Sequence, residues 1–461
     1  CRPAVLHCRV HPSAKRQPEN MKPSFFRSLC AFGATGLLFA LSYGLPNHLA
    51  AQRGGVPEIV FGWEARIPFW AWSILPYCSL TPLYALAFFL CRSKAEQNRY
   101  LARLWTAQLA AMPFFLLLPL QFSAAKPAAD SWAGMLFAAV AEFDRPYNQA
   151  PSLHVAFAWI VGRFYFFRLP ERWRQAVRAW FALIALSVLT TWQHHFIDLA
   201  TGALLGALVL WLWPDGTSPL RARSAVYRRP ARLYLTAALL CALLALSGGA
   251  WLWSLWAAVS CLLAAAAYGG LGAAAFQKQA DGSTAAAAKL LFLPHTLAAL
   301  WGARCWLRAK RMPLCVPLAA GGRLYLGSLN ALRPAPGRPR FQAAVDCCAE
   351  QPAPWRPPHY LCVPMLDTVP PPAADLRDAA DALQNFLQQT NGAVLLCCAL
   401  GLGRSAAVAM VWLLRHGGCR DWQQAWNCLQ QSRPQLRLAN GAREQIERAA
   451  ALPAAGTGQA A

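Results

Sequence analysis

Apolar runs long enough to cross a bilayer recur through the first 275 residues, and they restrict the fold more than anything else in the chain. A spanning helix needs about 20 mostly apolar residues. Eight such runs are read, at about 28–48, 68–91, 103–122, 152–168, 178–194, 196–213, 232–248 and 250–270. Only 14% of the residues are charged, against about a quarter in soluble domains. The pattern predicts a polytopic all-α membrane bundle, with six helices over 28–213 and two more over 214–275. Residues 1–27 read as an N-terminal extension, with Met21 a more natural start than Cys1. The run Leu290 to Ala303 is about half a span and holds Pro294 and His295, so 276–320 reads as an interfacial amphipathic linker.

The net charge of +23 could point to nucleic acid, but its distribution argues against that. Arg92, Lys94, Arg99 and Arg103 separate the second and third runs; Arg168, Arg172, Arg174 and Arg178 the fourth and fifth; Arg221, Arg223, Arg228, Arg229 and Arg232 the sixth and seventh. Lys15, Arg16, Lys22 and Arg27 precede the first. The alternate loops hold only Arg53, Arg66, Lys126 and Arg145. This is the positive-inside pattern with both ends cytoplasmic, and the expected partners are membrane lipids. Seven of the 16 cysteines lie in the C-terminal part without disulfide-like spacing, as in a reducing compartment.

The C-terminal part is a different object. An apolar strand, Ala393 to Leu396, leads into Cys397-Cys398-Ala-Leu-Gly401-Leu-Gly403-Arg404-Ser405, and a helical run follows to His416. A Gly-containing loop between a strand and a helix N-terminus aims backbone N–H groups and the helix dipole into one bowl, which suits a phosphate dianion. Cys398 at its edge sits in a field that favours a thiolate. Arg404 can grip two phosphate oxygens. Gly401 and Gly403 stand where the backbone turns toward the ligand. The arrangement reads as a phosphatase that forms a cysteinyl-phosphate. Cys-x5-Arg spacing alone carries little among 16 cysteines; the flanks carry the reading.

The loop resembles that of dual-specificity protein and lipid phosphatases, His-Cys-x-x-Gly-x-x-Arg-Ser, with Cys397 in place of His. The resemblance covers about 321–450 and implies an α/β domain, with 451–461 a disordered tail. It includes the strands Arg323 to Ser328 and Ala343 to Asp346. It implies a general acid on an upstream loop. Asp367, after the strand Tyr360 to Leu366 and before Thr368-Val-Pro-Pro-Pro372, is the candidate, with Asp375 the alternative. It also implies that Ser405 hydrogen-bonds the thiolate and helps release it.

Two polar clusters interrupt the apolar region: Asp144 to His154, and Thr190 to Asp198. The charge pattern puts both at the outer face. His194 and Asp198 share a helix face. A carboxylate on one imidazole nitrogen leaves the other free to attack phosphorus, and His154 could protonate the departing oxygen. The clusters resemble the type 2 phosphatidic acid phosphatase superfamily, closest to its inositol phosphorylceramide and sphingomyelin synthase branch, where Pro-Ser-Leu-His and His-x-x-x-Asp recur. That implies His194 as nucleophile, Asp198 as its orienting acid and His154 as general acid. Ala138 and Val188 stand where the phosphatase branch has phosphate-binding cations, which leaves Arg145, with Asn148 as a positioning group. Hydrolysis, headgroup transfer and an inert outer site all stay open. His195 reads as a spare interfacial residue.

The order of parts resembles a bacterial family of fused proteins. It implies an inner-membrane protein with a cytoplasmic Cys398 site and an outer His/His/Asp site, acting on a phosphorylated lipid or headgroup. Neither mechanism needs a metal or other cofactor. A membrane scaffold with an inert outer site is the third class.

Overall fold

The structure, a computed structural model, describes residues 21–453 apart from 123, 128–131, 144, 217 and 319–321. Residues 1–20 of the expected extension, Asp144, and all but 451–453 of the expected tail therefore lie outside the described residues. The chain divides into two compact units, Cys1–Asp215 and Gly216–Ala461.

The first unit is helical: α1 (Phe25–Phe39), α2 (Leu45–Ala51), α3 (Ile74–Leu90), α4 (Lys94–Leu117), α5 (Trp132–Phe143), α6 (Leu153–Arg168), α7 (Arg174–Thr190) and α8 (Phe196–Leu212). Phe88, Leu104, Ile160, Ile184 and Val209 are among the fully buried core side chains. Close packing of α6 on α8 depends on Gly202 and Gly206, one turn apart. A Cβ at Gly202 would come within 2.4 Å of Ser152 O, and one at Gly206 within 2.8 Å of Trp159 Cβ. Small residues at this spacing let two helix backbones approach. Asp215, just past α8, pairs with Arg103 at 2.8 Å and Arg163 at 2.7 Å, tying α4 and α6 to the end of α8.

The second unit opens with α9 (Arg228–Ala245) and α10 (Ser254–Ala266), then α11 (Ala286–Leu291) and α12 (Leu293–Ala309). A five-stranded sheet follows, in order β1-β2-β5-β3-β4, from β1 (Cys315–Pro317), β2 (Leu324–Ser328), β3 (Phe341–Cys348), β4 (His359–Met365) and β5 (Ala393–Cys398). β1 pairs antiparallel and the rest parallel. Helices α13 (Ala373–Gln389), α14 (Arg404–Arg415), α15 (Trp422–Ser432) and α16 (Ala442–Ala451) complete it. Alternation along β5 splits its side chains between two cores. Val394, Leu396 and Cys398 join the core with α13, α14 and α16, while Leu395 and Cys397 face a smaller one on the other side.

Among the described residues, three helical stretches are long and apolar enough to cross a membrane: Phe25–Ala51, Ala71–Leu90 and Gly249–Phe276. Eight were expected. Helices form at the other expected positions, but α6, α7 and α8 stop at 16 or 17 residues, about 24–26 Å at 1.5 Å per residue. Ser152 caps α6, Pro170 follows it, and the turn after Thr190 ends α7. Lys94, Glu96, Arg99 and Arg103 dilute α4, and Arg228, Arg229 and Arg232 dilute α9. The apolar α5, of 12 residues, was not anticipated.

Candidate active site

β5 ends at Cys398 and α14 begins at Arg404, one residue before the expected start. The five residues between them close a tight loop. Gly401 has φ +76°, and a Cβ there would lie 2.3 Å from the backbone of Gly327 on β2, so any side chain is excluded. Gly401 N donates to Cys398 Sγ at 3.3 Å, and Ser405 Oγ lies 3.3 Å from the same sulfur. Cys398 is 3% exposed. Cys397, on the opposite sheet face, is fully buried, and burial pushes its thiol well above the ordinary range. It points away from the bowl and stays protonated.

Arg404 is held by a residue the sequence reading missed. Its Nη1 and Nη2 donate to Glu350 Oε2 and Oε1 at 2.7 and 2.8 Å, and Nη1 also donates to Met365 O at 3.0 Å. Asp367 Oδ1 lies 3.3 Å from Nη2. A guanidinium has five N–H donors. Glu350 and Met365 engage three of them, and the buried Nε–H has no partner. Burial acts to raise the Glu350 carboxyl, but the Arg404 guanidinium outweighs it and holds the group down to about 2.

Cys398, Arg404, Gly403 and Asp367 line one cavity of about 420 Å³, together with Arg437, Asn440 and Trp306 from α12. Asp375, the alternative acid, sits in the first turn of α13 and does not line it. Arg433, also missed, is 1% exposed and bonds Leu326 O, Pro313 O and Leu400 O, which fixes the loop from behind. A second buried ion pair joins the segment after α10 to the sheet. Lys278 Nζ donates to Asp346 Oδ2 at 2.6 Å and to the carbonyls of Cys348 and Gln351 at 2.7 Å. Burial disfavours its charge, yet Asp346 outweighs this and raises the ammonium above its ordinary range.

In the first unit, His194 Nε2 lies 3.2 Å from Ser152 Oγ. Its Nδ1 lies 3.4 Å from Asp198 Oδ2, an ion-pair distance without hydrogen-bond alignment. His154 stacks on Tyr77 at 4.0 Å between ring centroids, and its Nε2 is buried without a partner. His154 and His194 line a mostly apolar cavity of about 590 Å³. Arg145 and Asn148 are not brought into this group: Arg145 is exposed, and Asn148 Nδ2 donates to Tyr43 O at 2.6 Å. His195 is engaged rather than spare, with Nδ1 3.1 Å from the buried Glu64. Among the described residues no cluster of three His, Cys, Asp or Glu is placed to hold a metal.

Residues 324–449 match the family model of the dual specificity phosphatase catalytic domain. Among solved structures, human DUSP28 is 28% identical, covering 30% of this chain and 93% of that one, with a TM-score of 0.26. A mouse dual specificity phosphatase complexed with zinc tungstate is 25% identical, covering 30% of this chain and 86% of that one, with a TM-score of 0.27. No curated protein matches the chain at a significant level. Residues 324–449 are a dual-specificity phosphatase catalytic domain joined to a larger helical region.

Proposed function

We propose that the chain is a membrane-tethered phosphomonoesterase that works through a cysteinyl-phosphate, on substrates presented at the bilayer surface. The observation that carries this is the Cys398 sulfur, 3.3 Å from both the Gly401 amide and the Ser405 hydroxyl, in a cavity shared with Arg404 and Asp367. Arg404 Nε and the loop amides bind the non-bridging oxygens. Cys398 Sγ attacks phosphorus, the ester P–O bond breaks, and Asp367 gives its proton to the leaving oxygen. Water then attacks the thiophosphate with Asp367 accepting its proton. The P–S bond breaks, and Ser405 donates to the departing sulfur.

Tethering rests on the apolar surface and on α12. Leu233, Leu239, Leu240, Leu243 and Leu246 of α9 and its end are 52–82% exposed, more apolar surface than a soluble unit leaves open. Leu293, Leu297 and Trp301 are exposed at four-residue intervals on α12, Arg304, Arg308, Lys310 and Arg311 follow, and Trp306 reaches the cavity. An amphipathic helix of this kind lies in a headgroup interface. Full-length protein in nanodiscs tests the reading. Vanadate should protect Cys398 from iodoacetamide, and a phosphomonoester lipid in the disc should turn over at least about tenfold faster than its soluble headgroup. Alkylation of Cys398 unaffected by vanadate would refute the cysteine mechanism.

A second reading concerns the first unit. His194 and His154 on their apolar cavity, with Asp198 3.4 Å from His194, support a lipid phospho-headgroup site, at the opposite end of α8 from the Asp215 arginine cluster. Both separation and sign of charge agree with an outer face. Among the described residues no Lys or Arg lines the cavity, which favours exchange between singly charged diesters over binding of a phosphate dianion. His194→Ala should abolish headgroup exchange between two lipids and leave Cys398-dependent hydrolysis unchanged. Exchange that survives the substitution would exclude His194 as nucleophile.

A further inference from the structure

The loop that carries Asp367 does not rest on the phosphatase domain alone. Tyr227 immediately precedes α9 and Tyr268 follows α10, so both stand at the base of the α9–α10 hairpin. The two segments of that base are tied together: Tyr227 N donates to Tyr268 O at 2.8 Å and Ser224 N to Gly270 O at 3.0 Å. From this base two phenols reach the acid loop. Tyr268 Oη donates to Asp367 O, and Tyr227 Oη donates to Pro370 O, each at 3.1 Å. Tyr268 is 5% exposed.

The loop between these anchors is strained. Thr368 adopts φ +62°, a left-handed conformation unfavourable for a β-branched residue. Its Oγ1 donates to Asp367 O at 2.7 Å, so that carbonyl accepts from both Thr368 and Tyr268. The Asp367 side chain is 48% exposed, with Arg404 at 3.3 Å. A half-exposed acid on a strained loop keeps its place only if its backbone is fixed, and here the fixing donors come from a helical hairpin outside the catalytic domain.

We propose that Tyr268 and Tyr227 are positioning residues for general-acid catalysis, so that the apolar hairpin sets where Asp367 stands. This rests on the reading of Asp367 as the acid. It also makes a distinction by leaving group. An aliphatic alkoxide needs its proton from Asp367, whereas 4-nitrophenolate leaves with little help. Removing a hydroxyl that only props up the fold would slow both.

The test uses full-length protein in nanodiscs. Tyr268→Phe, and more so the Tyr227→Phe/Tyr268→Phe double variant, should lower kcat on an alkyl phosphate about tenfold or more and kcat on 4-nitrophenyl phosphate less than threefold. In an Asp367→Asn background, Tyr268→Phe should add nothing further, since sites acting through one group are not additive. Thr368 and Val369 amides should exchange faster with solvent in the Phe variants while those of β5 stay protected. Equal slowing of both substrates, full additivity with Asp367→Asn, or unchanged exchange would overturn the proposal. If the wild type shows no Cys398-dependent turnover, the phosphatase reading fails, and the exchange measurement still decides whether the tyrosines hold the loop.

Discussion

Serine in place of Cys398 should abolish phosphomonoester turnover, lowering kcat by about four orders of magnitude or more, the scale on which enzymes lose rate with their nucleophile. The substitution changes little else. Cys398 is 3% exposed in a packed loop, and an oxygen fits where the sulfur sat. The Gly401 amide and the Ser405 hydroxyl can still donate to it. What is lost is a polarisable nucleophile that can attack phosphorus and then leave it. The variant should therefore retain the fold and substrate affinity while chemistry stops. Single-turnover kinetics and a binding isotherm for the same substrate separate the two. Residual hydrolysis above about a hundredth of the wild-type rate would put the nucleophile elsewhere.

The parts of this site legible in the sequence are those written in local pattern. Strand, loop and helix around Cys398 follow from an apolar run, two glycines and a helical run within about two dozen residues, and α14 begins within one residue of its expected start. The helices of the first unit follow from apolar runs in the same way, except α5, which is too short to register as a span. The residues that escaped notice act across the chain. Glu350 follows β3 in an unpatterned stretch and meets Arg404 across 54 residues. Lys278 meets Asp346 across 68, and Arg433 meets Leu326 across 107. No periodicity marks such partners. The usable signal is chemical: a buried arginine must find a carboxylate, and few acids are available in a chain with 20 Asp and Glu. Cys397 shows the converse. It stands where the resembled loop has His, and strand alternation sends its side chain to the other face of the sheet.

Glu350→Ala should be the most damaging substitution outside the loop itself. In the wild type two short hydrogen bonds, at 2.7 and 2.8 Å, fix the guanidinium plane of Arg404, which is 3% exposed. Removing one partner of a buried pair costs up to about 3–5 kcal/mol, the full amount only where no other carboxylate is near. The freed guanidinium has one other carboxylate at hand, Asp367 at 3.3 Å. Closer pairing there would draw the acid and the phosphate-binding cation onto each other, so kcat/KM should fall roughly a hundredfold. The pH dependence has a definite sign. Because Arg404 holds Glu350 down to about 2, below its ordinary 4.5, the pair contributes stability that is fully present above the ordinary value. That contribution is lost as pH falls toward 2. Wild type and Glu350→Ala should differ most in thermal midpoint at pH 5–8 and converge in strong acid. Glu350→Gln keeps an acceptor without the charge and should fall between them. A midpoint for Glu350→Ala equal to wild type at neutral pH would show that the pair carries neither the stability nor the alignment assigned to it.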